Sequence, residues 1–362
     1  MCCYASKAVT SVNCISPKDH FSSCADLMKN KALQVCVWIL GVSACLGNFF
    51  VIILRLVVTE DNKVHSFFLT NLAVSDFLMG VYMLIIASKD AQWQGQYFKH
   101  DISWRSSFMC KFVGAVSMLS SEVSVLILTL ITLDRFVCIV FPLSFRRIHR
   151  KGANIIMCLV WGFGLLISVI PTFGLDYFYD EKRSTGYYGR SAVCLPLQLS
   201  AEKLAGWEYS VAIFIVLNFV SFMFILFAYI IMFLTVKRIS AGVRSTNINR
   251  ESAMAWRMMF IITTDFCCWI PVIIIGILSL LGNFHDPGRV AYVWIAVFVL
   301  PINSSINPIL YTFSAPNVQR KLKAGKDSLR KRIQKSGAKD KVKGNVLKNC
   351  VQVAFSLIYY YY

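Results

Sequence analysis

Charged residues are scarce in this chain, and acidic residues are the scarcest. Only 15% of the 362 residues are Asp, Glu, Lys or Arg, whereas 57% are hydrophobic. This composition excludes an ordinary soluble domain, which needs more polar side chains to cover its surface. The hydrophobic residues form seven continuous runs, each close to the roughly 20 residues that cross a bilayer. These predicted spans are 33–57, 67–88, 108–139, 154–173, 209–236, 255–281 and 290–313.

The runs also lack the alternation of polar and apolar residues that is typical of a membrane-spanning strand. A helix satisfies its own backbone hydrogen bonds, which lipid cannot do. We therefore expect an all-α fold, a bundle of seven transmembrane helices over residues 33–313. Residues 1–32 would precede the bundle and residues 314–362 would follow it.

Lys and Arg are concentrated in two of the predicted loops. Positive residues near the ends of spans remain on the cytoplasmic side, so the N-terminus should lie outside. The basic tail suits anionic lipid better than nucleic acid, and an apolar stripe at Val318 and Leu322 predicts a membrane-surface helix after span seven. The loop residues are Arg146, Arg147, Arg150 and Lys151 after span three, and Lys237, Arg238, Arg244 and Arg250 after span five.

A cleavable signal peptide is also lacking, because residues 1–31 contain no apolar core. Either the first span acts as a signal anchor or the chain belongs to a longer protein, and we favour the second interpretation. An even number of cysteines falls outside the membrane, which allows three disulfides in an oxidising compartment. They are Cys2, Cys3, Cys14, Cys24, Cys110 and Cys194.

Signatures of catalysis and transport are absent from the sequence. The five histidines are all expected in loops, none forms a pair at metal-ligand spacing, and no serine elbow motif occurs. The inverted halves of a transporter are also lacking. The chain is therefore not expected to be an enzyme or a transporter, nor to hold a catalytic metal or organic cofactor.

Three acids lie within predicted spans, where an ionisable group costs several kcal/mol and is a functional candidate by default. They are Asp76, Glu122 and Asp265, and no Lys or Arg lies at matching depth. Hydroxyls and amides on other spans offer partners to Asp76. One interpretation is an all-oxygen site for a sodium ion, and the alternative is a hydrogen-bonded polar cluster with a neutral Asp76. These partners are Asn48, Ser124, Asn303, Ser304 and Asn307.

Four prolines and one charged pair indicate sites of conformational change. Proline removes a backbone hydrogen bond, so Pro171, Pro271, Pro301 and Pro308 are expected to kink their helices. Trp269 would lie at the bend of span six, where its rotation could connect a ligand cavity to the inner end. Asp134 and Arg135 end span three, where the carboxylate could restrain the guanidinium until a partner displaces it.

These residues occur in a familiar order. The chain resembles the rhodopsin-like G-protein-coupled receptors, and within them the group with leucine-rich ectodomains, especially the relaxin-type receptors. The motifs that carry the general resemblance are Gly47-Asn48, Asn71 to Asp76, Cys110, Asp134-Arg135-Phe136, Trp161, Cys194, Cys268 to Pro271 and Asn307 to Tyr311. Those of the narrower group are Ser120 to Val125, Ser221, Asp265, Leu300 to Ser304 and the cysteines before span one.

The resemblance implies a receptor of the plasma membrane that passes hormone binding to a heterotrimeric G protein by outward motion of helix six, with cyclic AMP as the output. The hormone would be a peptide or protein of the relaxin/insulin-like or glycoprotein-hormone kind. A truncated isoform that is silent in signalling, or a small-ligand receptor, is the alternative. Residues 1–32 would then be the remnant of a hinge that joins an ectodomain to the bundle.

The same resemblance implies roles for single residues. Cys110 would pair with Cys194, and Cys2, Cys3, Cys14 and Cys24 would form two hinge disulfides. Asp265 would bond to Asn303 or Asn307 and hold the inactive state, while Arg135, Tyr229 and Tyr311 would line the opened G-protein cavity. Phe136 departs from the usual tyrosine of the motif.

Overall fold

The computed structural model describes residues 21–23, 25–57, 62–141, 148–181, 185–195, 205–240, 259, 263–264, 266–278, 294, 298 and 300–314. All of them belong to the first of two compact units, Met1–Ser314 and Ala315–Tyr362. Several predictions therefore fall outside the described residues. These are Asp265, the four hinge cysteines Cys2, Cys3, Cys14 and Cys24, the membrane-surface helix and the side chain of Tyr311.

The described part of the chain is helical, which confirms the predicted fold class. It contains α1 (Lys31–Val57), α2 (Lys63–Gln92), α3 (Phe108–Val140), α4 (Arg150–Val169), α5 (Asn218–Ser240), α6 (Phe266–Leu278) and α7 (Leu300–Ser314). A turn of helix, Trp207–Ser210, and a π-helix, Val211–Leu217, lead directly into α5. Among the described residues five helical stretches are long and apolar enough to cross a membrane.

Side-chain caps set the starts of two helices. The Oδ1 atom of Asn62 accepts a hydrogen bond from the backbone N–H of His65 at 3.1 Å, and Ser107 caps α3 in the same way through Cys110. The cap starts α2 four residues before the predicted span. His65 therefore lies buried in the first turn of a helix, and the expectation that every histidine is in a loop is wrong.

Glycines let the helices of the bundle approach closely. A Cβ atom on Gly80 of α2 would lie 2.6 Å from the backbone nitrogen of Cys45 in α1, and one on Gly47 would lie 2.9 Å from the ring of Pro308 in α7. Because lipid offers no hydrophobic force between helices, such close backbone contact is a main source of their association. The contacts join α1 to α2 and to α7.

The prolines behave in two ways. Pro308 lies inside α7 and Pro271 inside α6. Pro171 instead lies in a 3-10 turn, Ile170–Thr172, directly after α4. Pro301 follows Leu300, at which the described stretch of α7 begins, and Trp294 and Phe298 before it are also helical. The expectation of a kink at Pro171 is therefore wrong, whereas the kink at Pro301 stays a prediction.

Candidate functional site

A carboxylate at the centre of the bundle joins three helices. Asp76 of α2 is fully buried, and its Oδ1 atom accepts hydrogen bonds from the hydroxyls of Ser124 in α3 at 3.2 Å and Ser304 in α7 at 3.0 Å. Its Oδ2 atom accepts from the side-chain nitrogen of Asn307 in α7 at 2.9 Å. The structure thus brings together Asp76, Ser124 and Asn307, which the sequence predicted as one polar site.

Asn48 of α1 joins this core indirectly. Its side-chain nitrogen donates to the backbone oxygens of Ala44 at 2.9 Å and Ser304 at 2.8 Å. Among the described residues no donor reaches the side-chain oxygens of Asn48, Asn303 and Asn307, although all three residues are buried. Buried acceptors normally have a partner, and amide and carboxylate oxygens are the ligands that hard cations prefer. The residues present therefore fit a sodium ion.

At the inner end of α3, an ion pair holds an arginine inside the protein. The Nε atom of Arg135 donates to Oδ2 of Asp134 at 3.1 Å, and its Nη2 atom donates to the same oxygen. Arg135 is only 1% exposed. Tyr229 of α5 lies half-buried nearby and packs against the cluster of Ile139 and Met232. The guanidinium is therefore withheld from the surface of the bundle.

Trp269 lies near the start of the described α6, two residues before Pro271. Its side chain is buried, and its ring centroid lies 6.0 Å from that of Phe222 in α5. Phe266, one turn earlier, contacts the same phenylalanine at 6.3 Å. The tryptophan thus joins the proline-containing part of α6 to α5.

The loop after α4 closes the outer end of the bundle. A disulfide joins Cys110 of α3 to Cys194 of this loop, as the resemblance implied. Tyr187 and Tyr188 of the loop are each 1% exposed, and burial raises the pKa of both phenols far above its ordinary value. The hydroxyl of Tyr188 donates to the backbone oxygen of Ser168 in α4 at 2.6 Å. The two rings occupy the space between the outer ends of α3, α4 and α5.

Sequence reasoning missed two acids that fix the segment before α1. The backbone N–H of Met28 donates to Oδ1 of Asp90 at 2.8 Å, and that of Gly95 donates to Oδ1 of Asp26 at 3.1 Å. Phe21, Leu27 and Met28 are buried against the bundle. Charged residues at the ends of spans look like solvated surface groups in a sequence, so no pattern distinguished Asp26 and Asp90 from their neighbours.

Glu122 of α3 has a partner that the sequence did not predict. Its Oε1 atom accepts from the hydroxyl of Ser121 and from the side-chain nitrogen of Asn218, both at 3.3 Å. Both Glu122 and Asn218 are fully buried. An asparagine inside the otherwise apolar span 209–236 was the signal that could have found the pair.

The helices, the central carboxylate, the inner ion pair and the outer disulfide agree with one family of proteins. The family described as 7 transmembrane receptor (rhodopsin family) matches residues 47–311 of the chain. The chain is a member of the rhodopsin family of seven-transmembrane receptors. This receptor is therefore a seven-helix, multi-pass membrane protein, and its family is one of receptors rather than enzymes.

Comparison with individual proteins points to one group of receptors within this family. The receptor is 48% identical over 313 residues to "G-protein coupled receptor GRL101" of Lymnaea stagnalis, covering 86% of the chain and 27% of that protein. It is 39% identical to relaxin receptor 2 of Canis lupus familiaris, covering 86% of the chain and 41% of the relative. It is 36% identical to relaxin receptor 1 of Homo sapiens, covering 83% of the chain and 39% of that relative. The chain thus spans 27% to 41% of the length of these relatives, and the resemblance to relaxin-type receptors is confirmed.

Proposed function

We propose that this receptor passes the binding of an extracellular peptide or protein hormone to a heterotrimeric G protein at the plasma membrane, with its N-terminus outside. The hormone would be of the relaxin/insulin-like or glycoprotein-hormone kind, and the output would be cyclic AMP. The names of the relatives support the hormone class, since they include two relaxin receptors and a lutropin-choriogonadotropic hormone receptor of Gallus gallus, 29% identical over 310 residues.

The buried pair of Asp134 and Arg135 is the observation that carries the proposal. A guanidinium with five donors suits the carbonyl and carboxylate groups at the end of a helix. Here the guanidinium of Arg135 instead bonds to the carboxylate of the preceding residue, Asp134. Hormone binding would release Arg135 through outward motion of α6 about Pro271. The G protein would bind only this open state, and its differential affinity would shift the population. Tyr229 and Tyr311 would line the opened cavity.

Two further groups would hold the resting state. Asp265 would bond to Asn303 or Asn307 and restrain α6 against α7. A sodium ion would be held by Asp76 with oxygens of Asn48, Ser124, Asn303 and Asn307. Its positive charge would balance the buried carboxylate, which has no basic partner among the described residues.

The first test is basal cyclic AMP in cells that express the chain, with Arg135→Ala as the key variant. Arg150→Ala is the matched control, because it removes the same charge from an exposed position at the start of α4. With surface expression matched, we expect an elevated baseline that Arg135→Ala abolishes and Arg150→Ala preserves. Equal output from the wild type, both variants and untransfected cells would contradict the cyclic AMP proposal and favour a receptor that is silent in signalling.

Asp265→Ala tests the restraint on α6. Removal of the carboxylate should raise basal cyclic AMP, because one bond that favours the resting state is lost. An unchanged baseline in a well-expressed variant would exclude this role.

A further inference from the structure

Glu122 is a buried acid that the proposed mechanism leaves without a role. One oxygen of its carboxyl accepts the two hydrogen bonds from Ser121 and Asn218. Among the described residues no partner reaches the other oxygen, Oε2, or the side-chain oxygen of Asn218. A buried polar pair that is only partly satisfied costs stability compared with an apolar pair of similar size. Its presence therefore calls for a function.

Asn218 lies at the point where the helix changes its winding. The π-helix Val211–Leu217 ends immediately before it, and α5 starts with it. Its side-chain nitrogen also lies 3.4 Å from the backbone oxygen of Ile213 and 3.3 Å from that of Phe214. A π-helix is wider than an α-helix, so the change between them disturbs the regular pairing of backbone groups. One amide therefore supports the wide turn and binds the carboxyl of Glu122 at the same time.

The two ends of this π-helix have different partners. Just before it, the hydroxyl of Ser210 lies 2.8 Å from that of Tyr187 in the outer loop. One turn after Asn218, the ring of Phe222 contacts that of Trp269 in α6. The π-helix is thus the link along the backbone between the outer loop and the tryptophan beside Pro271.

A change from π to α winding would move these two ends relative to each other. A π-turn accommodates about one extra residue, and one residue of an α-helix corresponds to about 100° of rotation and about 1.5 Å of rise. Ser210 and Phe222 could not then both keep their present contacts with Tyr187 and Trp269. Tightly packed elements of this kind have discrete arrangements rather than a continuous range.

We propose that Glu122 and Asn218 form a latch that holds the π-helix Val211–Leu217, and that its release passes the position of the outer loop to Trp269. The signalling part of this proposal depends on the proposed function, whereas the structural part does not. The latched form is the resting form of the receptor.

The structural test is hydrogen–deuterium exchange, read by mass spectrometry, on the full chain in lipid nanodiscs. Glu122→Ala and Asn218→Ala should speed the exchange of the amides in 211–218 by about tenfold, the effect of losing one hydrogen bond. Glu122→Gln keeps an acceptor and adds a donor for Asn218, so it should preserve the wild-type rate. Thr129→Ala is the matched control, since among the described residues the hydroxyl of Thr129 bonds only to the backbone oxygen of Val125 in its own helix.

The signalling test uses the same variants and follows GTP-analogue binding to an added G protein. Glu122→Ala and Asn218→Ala should raise basal loading by up to about tenfold, while Glu122→Gln and Thr129→Ala should not. Unchanged exchange in 211–218 in both alanine variants would overturn the latch. Faster exchange with unchanged loading, beside a wild type that does load nucleotide, would overturn the link to Trp269. If wild type loads no nucleotide, the proposed function fails, and the exchange rates still decide the latch.

Discussion

Replacement of Asp76 tests the central polar core most directly. Asp76→Ala removes the one acceptor group that Ser124, Ser304 and Asn307 share, and with it three hydrogen bonds that join α2 to α3 and α7. Asp76→Asn is nearly isosteric and removes only the charge. Its oxygen can still accept from both serines, and Asn307 can turn its amide to present an oxygen to the new NH₂ group.

The geometry predicts a different loss of stability for each of the two variants. Hydrogen bonds to a charged group contribute about 1.5 kcal/mol or more each, so the three lost in Asp76→Ala correspond to at least about 4.5 kcal/mol. Asp76→Asn should cost about 1 kcal/mol, since the bonds remain but lose their charge assistance. A sodium ion at ten times its dissociation constant would stabilise the wild type by about 1.4 kcal/mol, and neither variant would show this gain.

Thermal unfolding of the purified receptor in sodium chloride and in choline chloride at equal ionic strength measures both effects. The expected order of unfolding temperature is wild type, then Asp76→Asn, then Asp76→Ala, with a sodium-dependent increase in wild type alone. A wild type that is indifferent to sodium, with Asp76→Asn equal to it, would refute the ion and support the neutral polar cluster. Equal stability of Asp76→Ala and wild type would refute the argument from the three bonds.

The remaining predictions concern the outer end and the inner pair. Gly114→Ala should destabilise the receptor by about 1–3 kcal/mol in thermal unfolding, because the new Cβ atom would lie 2.4 Å from the ring of Tyr188. Trp104→Phe should lower the free energy of unfolding by about 1 kcal/mol, since it removes the indole hydrogen bond to the backbone oxygen of Ala192 at 2.7 Å. Asp134→Asn should raise basal loading of an added G protein with a GTP analogue, because it weakens the restraint on Arg135; an unchanged baseline at equal expression would contradict that restraint.

The spans and the polar core could be predicted because each follows from a local or strongly constrained signal. A run of apolar residues reports a membrane helix by itself, and an acid within it must find a polar partner from a short list. Asp76 had few hydroxyls and amides to choose from, and three of them are the partners that the structure shows. Tyr229 was identified only through the resemblance to a known family, and Trp269 through its spacing from Pro271.

The features that could not be predicted depend on contacts between distant segments. The docking of Met28 on Asp90 joins residues 62 positions apart, and the binding of Asn218 to Glu122 joins residues 96 apart. Proline gave an ambiguous signal, since its effect depends on the position that it takes in a helix. Pro171 lies in a 3-10 turn directly after α4, where the ring is tolerated, and only the observed boundary of α4 could show this.

The attachment of the segment before α1 has a consequence for protein engineering. Both carboxylates that fix it, Asp26 and Asp90, accept their hydrogen bonds from backbone N–H groups. Such bonds are donated by main-chain atoms, so the exposed side chains of this segment take no part in them. Substitutions of exposed side chains in 21–30 should therefore be tolerated. A spectroscopic probe at the exposed Lys29 would report on this segment without detaching it from the bundle.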